Sequence, residues 1–323
     1  MLSTPRQLRL HPRAVWLVVA SLCALALACG ADDAPASTAA TTAAQAGGAA
    51  AAFPRTITDS SGTVVTIAAP PQRIVSLSPG ATEILYAIGA GARVIATDRF
   101  SDYPAAAKVL PKLEYSQPSA EAAVALAPQL VIMTTRQREQ VQQFRDLKLT
   151  VLYVEEGESI DAVYRTIALF GEITGETSAA TQLVSSMRAR IDRVTAAVAD
   201  VRQGPRVFYE LSADLYTVAP ATFIGGMLSA LKAQNVAAGA TSPFPQLTAE
   251  AVLGADPEVV ILSDAAFGES LQTVGARPGW AAVSAVKNRR VYPIDADIVN
   301  RPGPRIAEGM EALARALYPE RFR

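Results

Sequence analysis

Histidine and cysteine are missing from almost the whole chain. The one histidine is His11, and the two cysteines are Cys23 and Cys29, so nothing beyond residue 29 carries an imidazole or a thiol. That removes the essential side chains of serine–histidine triads, cysteine nucleophiles, structural zinc sites, histidine-held transition metals and disulfide frameworks. Acid–base chemistry by carboxylates alone stays open. Its nearest candidate is Glu155, Glu156 and Glu158, but such a run beside Gly157 reads as a solvated loop, and the expectation is that the chain is not an enzyme. Positive charge is scarce too: apart from Arg6, Arg9 and Arg13 the chain has 26 basic residues against 30 acidic ones. With no basic block after Arg13, nucleic acid is excluded as a partner. The chain also lacks the apolar run of about 20 residues that a membrane-spanning helix needs.

What the N-terminus has is a shorter run, Ala14 to Ala28, behind the three arginines. It ends at Ala26-Leu27-Ala28-Cys29, which reads as a signal peptide over 1–28 with a lipobox-like site and Cys29 as the lipidation point. Ala26 departs from the leucine usual there. Residues 29–52 are an Ala/Thr/Gly tract too poor in large apolar side chains to fold. As a loose tether they would hold the folded part roughly 25 Å from the membrane. The expected location is outside the cytoplasm, anchored to the cell membrane.

A sixteen-residue segment occurs twice. Ser119 to Thr134 aligns without a gap on Thr248 to Ser263, pairing Glu121 with Glu250 and Pro128 with Pro257. So long a period indicates two similar lobes rather than a solenoid. Each copy reads as a hydroxyl-capped helix, a proline-marked turn and a buried β-branched strand. Glu121 and Glu250 each fall in a first helical turn, where the helix dipole favours a carboxylate by about 0.3 to 1 kcal/mol. That accounts for either one. Two like carboxylates on two like lobes also suit docking onto a two-fold partner.

Around the repeat, Thr56 to Asp59 and Thr63 to Ile67 read as a hairpin, followed by strands at Arg73 to Leu77, Val94 to Thr97, Leu130 to Met133 and Val151 to Val154. Ser78-Pro79 is expected to cap a helix through Ile88. Glu176 to Gln203 is amphipathic, with Leu183, Met187, Ile191, Val194 and Val198 at helical spacing, and Gly204-Pro205 ends it. Arg206 to Leu211, Val259 to Leu262 and Val291 to Ile294 read as later strands. Strand and helix alternate, so the fold class is α/β with mainly parallel sheets: two Rossmann-like lobes, 53–175 and 204–323, joined by one long helix over 176–203.

Near the C-terminus, Pro302 and Pro304 mark a helix start, where Arg301 and Arg305 oppose the dipole. An anion is expected beside them: Asp297, a protein partner, or a phosphate or carboxylate of a ligand.

RIVSLSPGATEIL (Arg73 to Leu85), SDYP (Ser101 to Pro104), the two glutamate segments, AVKNRRVYPID (Ala285 to Asp295) and NRPGPRI (Asn300 to Ile306) give the chain a family look. It resembles the substrate-binding proteins of ABC importers of the helical-backbone class, which carry cobalamin, haem and ferric siderophores. The resemblance spans Pro54 to Phe322. It implies a rigid connecting helix and a monomer that holds a small molecule between its lobes, with Glu121 and Glu250 docking to the permease dimer and its ATPase subunits. SDYP is closest to cobalamin-binding members, implying corrin contact for Tyr103 beside Phe100. Tyr115 and Phe244 stand where those relatives carry tryptophans, and Thr134 or Thr135 where they carry another aromatic; Asp297, Arg301 and Arg305, read from the helix start, complete the expected ligand set. Cobalamin is the expected ligand, not a catalytic cofactor; haem or a ferric siderophore, with Tyr103 or Tyr115 on iron, is the alternative. Trp16 and Trp280 read as packing residues.

Overall fold

Two all-parallel sheets, each built from alternating strands and helices, form the body of the protein in the computed structural model, which describes residues 52–322. Trp16, the signal segment, Cys29 and the tether through residue 51 lie outside the described residues. β1 (Arg55–Thr58) and β2 (Val64–Ile67) form the antiparallel hairpin expected from their alternation. The N-terminal lobe follows with β3 (Ile74–Ser76), α1 (Pro79–Ala87), β4 (Val94–Asp98), α2 (Ala105–Lys108), β5 (Lys112–Leu113), α3 (Ala120–Ala125), β6 (Leu130–Thr134), α4 (Val141–Asp146), β7 (Val151–Val154) and α5 (Ile160–Thr174). α6 (Thr177–Ala196) leads to the C-terminal lobe. That lobe has β8 (Arg206–Glu210), α7 (Phe223–Ala230), β9 (Gln234–Asn235), α8 (Ala249–Ala255), β10 (Val259–Leu262), α9 (Leu271–Ala276), α10 (Ser284–Lys287), β11 (Val291–Pro293), α11 (Ala296–Asn300) and α12 (Ile306–Leu317).

Strand order is β5-β4-β3-β6-β7 in the first sheet and β11-β10-β8-β9 in the second. Central strands are apolar on both faces, as parallel sheets covered by helices require: Val259 to Leu262 is wholly buried. α6 is shorter than the amphipathic stretch that announced it. It stops at Ala196, and Arg321 from the chain end donates to the freed carbonyl of Ala197 at 2.9 Å. Met187, Ile191, Val194 and Val198 bury on the expected face, in one hydrophobic cluster that includes Ile167 and Phe170 of α5 and Met310 and Leu313 of α12. The helix is therefore packed into both lobes.

The hairpin turn is tied to the sheet through Asp59. Its carboxylate accepts from Ser61 N at 2.9 Å, Thr63 N at 3.2 Å and Tyr153 N at 3.0 Å, and pairs with Arg145. Gly62, at φ 81°, closes the turn in the left-handed region. Burial opposes ionisation of Asp59, but the bonds from Ser61, Tyr153 and Thr63 outweigh it and hold the carboxyl below its ordinary range. A depressed carboxyl stabilises the fold above the unfolded pKa and loses that contribution as pH falls through the folded value. Asp59→Asn is expected to cost about 2 kcal/mol at neutral pH, with the gap to wild type narrowing in acid, as urea melts at several pH values would record.

Candidate functional site

Strand order reverses between β3 and β6 in one lobe and between β8 and β10 in the other, and in open parallel sheets the crevice at such a reversal is where ligands sit. A cavity of about 440 Å³ opens there, lined by Thr135, Arg136 and Glu156 from the first lobe and by Leu211, Phe223 and Phe244 from the second. Phe223 is placed by α7, whose N-cap Thr222 accepts from Gly225 N at 3.0 Å. Glu156 is fixed rather than loosely solvated: Ser78 Oγ donates to it at 2.9 Å, and its own N–H donates to Thr135 Oγ1 at 2.9 Å. One sequence expectation is extended here and another corrected. The Glu155 to Glu158 segment is a loop with Glu155 and Glu158 exposed, as expected, but its Glu156 to Glu158 part also lines the cavity, and the Ser78 hydroxyl does not cap α1, because Glu156 takes it.

The remaining aromatics lie along the first lobe. The loop after β4 is held from below by buried Asp98, which accepts from Phe100 N at 2.8 Å and from Ser101 Oγ. Burial raises the Asp98 carboxyl above its usual value, against those bonds and the charge of Lys112. Lys112 Nζ in turn donates to Thr97 Oγ1 at 2.7 Å and to Ser101 O at 2.5 Å. The loop presents Phe100 and Tyr103, both about half exposed. Phe100 meets Tyr115 edge to face at 5.2 Å, and the Arg136 guanidinium lies 6.0 Å from the Tyr115 ring. Burial, with the charge of Glu156, pushes the Tyr115 phenol up, so it stays protonated at neutral pH. Tyr103 turns to a second groove of about 350 Å³, which it lines with Glu83, Tyr86, Met187 and Arg305. Phe244 alone of the four expected aromatics lines the larger cavity.

Arg301 and Arg305 do have an anion beside them, but chiefly one that the sequence did not point to. Glu83, on α1 of the first lobe and 3% exposed, takes Arg305 Nε at 2.9 Å and Nη2 at 2.6 Å. Arg301 lies 3.6 Å from the same carboxylate, 2.7 Å from Asp102 and 2.8 Å from Asp297. Arg305 also lies over the Tyr103 ring at 4.2 Å. The two arginines have different local settings: Arg305 is the N-cap of α12, as expected, whereas Arg301 closes the unanticipated short helix α11. Burial raises the Asp297 carboxyl despite Arg301; at Asp102 burial also opposes ionisation, but the bond and charge of Arg301, a backbone bond and the charge of Arg305 together outweigh it and lower the carboxyl. The backbones meet at the same place, since a Cβ on Gly80 would lie 2.5 Å from Pro302 O. Glu83 was legible only as a polar residue in an apolar helix, and Asp102 only as part of SDYP.

The repeated segments fold alike. Ser119 Oγ accepts from Ala122 N at 3.1 Å and Thr248 Oγ1 from Ala251 N at 3.2 Å, so both caps form as expected. Ala127 and Asp256, equivalent in the repeat, both take positive φ, 45° and 42°, in the turn before the proline. An arginine at the start of each lobe's central strand straps that turn. Arg73 donates to the carbonyls of Leu126 and Ala127 at 2.5 and 3.0 Å, and Arg206 to those of Ala255 and Asp256 at 3.1 and 3.0 Å. The straps fix α3 and α8 on their sheets. Glu121 and Glu250 are exposed, and neither forms an ion pair among the described residues.

The family model for periplasmic binding proteins matches residues 74–298. An uncharacterised ABC transporter substrate-binding lipoprotein of Bacillus subtilis, YvrC, is 36% identical over 279 residues, covering 84% of this chain and 88% of that protein. The cobalamin-binding protein of Halobacterium salinarum is 34% identical over 281 residues, covering 82% of this chain and 74% of that protein. Among solved structures, the periplasmic vitamin B12-binding protein BtuF of Vibrio cholerae superposes with a TM-score of 0.68 at 27% identity, covering 79% of this chain and 99% of that one.

Proposed function

The chain belongs to the periplasmic binding protein family, and from that membership we propose that it is the lipid-anchored, extracytoplasmic binding component of an ABC importer that captures a cobalamin-type corrinoid between its lobes. The observation that carries the reading is the two-lobe cavity at the strand-order reversals of both sheets, walled by Arg136, Phe223 and Phe244. Aromatic and apolar side chains, Leu211, Phe223, Ile224 and Phe244, interspersed with polar groups from both lobes suit a large ligand with an apolar ring face and a polar rim. Delivery is then a matter of docking: Glu121 and Glu250 are exposed, without an ion pair among the described residues, and equivalently placed on the two lobes, as contact with a two-fold permease and its ATPase subunits requires. Cys29 supplies the anchor, and the relative YvrC carries the name lipoprotein.

A corrinoid is favoured over haem or a ferric siderophore by the state of the polar groups. Tyr103 and Tyr115, the tyrosines that could ligate iron, are both outside the lining of the interlobe cavity. Arg301 and Arg305, the cations an anionic ligand would use, are already taken by Glu83, Asp102 and Asp297.

Purified protein mixed with cyanocobalamin, haemin and a ferric siderophore and passed through gel filtration tests the ligand. Cyanocobalamin is expected to co-elute with the protein. Retention of either iron compound with loss of cyanocobalamin would overturn the corrinoid reading.

A further inference from the structure

We propose that Glu83 positions Arg301 and Arg305 across the lobes and cancels their charge, so that the cleft selects a neutral ligand over an anionic one. The proposal rests on the reading of the interlobe cleft as the ligand site.

Three observations converge on this residue. Glu83 lies on α1 between Thr82, wholly buried, and Ile84 and Leu85 of the core, where a carboxylate loses its hydration unless a partner replaces it. The partners that replace it come from the other lobe, 222 positions along the chain for Arg305. Further, the close approach of Gly80 to Pro302 brings the two backbones together one turn from the carboxylate, so the ion pairs form at a close interlobe contact.

Both guanidiniums are held by protein groups. Arg305 gives Nε and Nη2 to Glu83 and lays its face on Tyr103. Arg301 is divided among Glu83, Asp102 and Asp297. Three carboxylates thus answer two guanidiniums. On the adjoining cavity, Glu156 and Glu158 face the single cation Arg136. An incoming carboxylate or phosphate would meet excess negative charge and would have to displace a bidentate pair, whereas an amide-bearing neutral ligand meets neither barrier. Removing the charge of Glu83 leaves Arg305 with a neutral acceptor and the Tyr103 ring, and takes away the negative charge 3.6 Å from Arg301. That is the smallest change that would supply a cation to an anionic ligand.

The test compares cyanocobalamin, which is neutral, with haemin, which carries two propionates, by spectral titration of the full chain. Glu83→Gln is expected to shift the ratio of the two dissociation constants toward haemin by about tenfold or more, with Glu83→Asp restoring the wild-type ratio and added salt reversing the gain. Asp102→Asn, at a half-exposed partner of Arg301, moves the ratio the same way by a smaller factor and covers the case in which Glu83→Gln does not fold. A ratio that stays within about twofold of wild type in both folded variants overturns the proposal.

If wild type takes up neither pigment, the corrinoid reading falls and lobe spacing decides the role of Glu83. Spin labels at Val109→Cys and Phe267→Cys, both exposed, in the full chain carrying Cys23→Ser and Cys29→Ser, report that spacing. A broader distance distribution in Glu83→Gln upholds the positioning role, and an unchanged one removes it.

Discussion

Replacing Glu121 and Glu250 together by alanine is expected to abolish ligand uptake while leaving ligand affinity within about twofold of wild type. Both side chains are exposed and make no ion pair among the described residues, so their removal uncovers no buried partner. The loss to folding is confined to the favourable dipole interaction in α3 and α8, about 0.3 to 1 kcal/mol each. The loss to docking is larger. A charge that meets an arginine pocket at an interface centre is worth about 2 kcal/mol or more when truncated, so two of them weaken docking on the order of a thousandfold. Each single variant should fall between wild type and the double variant, with roughly multiplicative effects because the glutamates lie on separate lobes. Uptake of labelled ligand into proteoliposomes holding the permease and ATPase measures this, with equilibrium binding on the same protein as control. Wild-type uptake in the double variant would remove the docking role.

Arg277→Met is expected to destabilise the second lobe more than any exposed substitution. Glu210, fully buried at the end of β8, receives Arg277 through Nη1 at 2.7 Å and Nη2 at 2.5 Å, and Nη2 also reaches Glu269 at 2.7 Å. Methionine fills much of the same space beside Trp280, which Arg277 overlies at 4.8 Å, but leaves Glu210 charged and alone. Breaking one side of such a pair costs about 3–5 kcal/mol, which lowers the melting temperature on the order of 10 °C. Burial already raises the Glu210 carboxyl above its usual value even with Arg277 opposing, and burial raises Asp264 as well, whose two carboxylate oxygens are buried without a hydrogen bond.

The pH dependence follows from that direction. Between the unfolded and the raised folded pKa the folded state binds more protons, so its stability falls as pH rises through that window. Losing Arg277 raises Glu210 further. The deficit of Arg277→Met is therefore largest near neutral pH and shrinks in mild acid, as the deficit of Asp59→Asn also does. Glu210→Gln combined with Arg277→Met should recover most of the lost stability at neutral pH. No recovery, or a deficit that grows in acid, would show that the arginine acts through packing instead.

Features fixed by local chemistry were the ones legible from the sequence. The doubled segment carried hydroxyl caps, a proline turn and a β-branched strand, each of which acts within a few residues, and α3–β6 and α8–β10 follow it closely. Both parallel sheets followed from the alternation of elements. What escaped depends on distant chain. β5 and β9 are two residues long and exist only because a neighbour offers hydrogen bonds. The end of α6 is settled by Arg321, and α11 is too short to show a period.

The site divides in the same way. Phe244 could be read beside its glutamate, and the need of Arg305 for an anion could be read from the helix start that follows it. The identity of that anion could not, because Glu83 belongs to the other lobe and is surrounded in sequence by apolar residues. The roles of Arg136 and Phe223 were hidden for a related reason: only the strand-order reversals bring the ends of β6 and the start of α7 to one cavity.

A crystal structure of the protein soaked with cyanocobalamin would test the central claim most directly. One corrin ring is expected between the lobes, against Phe244 and next to Tyr115 and Arg136, with Glu121 and Glu250 left clear of it. A corrinoid bound elsewhere on the surface, or an interlobe cavity that stays empty at saturating ligand, would contradict the account.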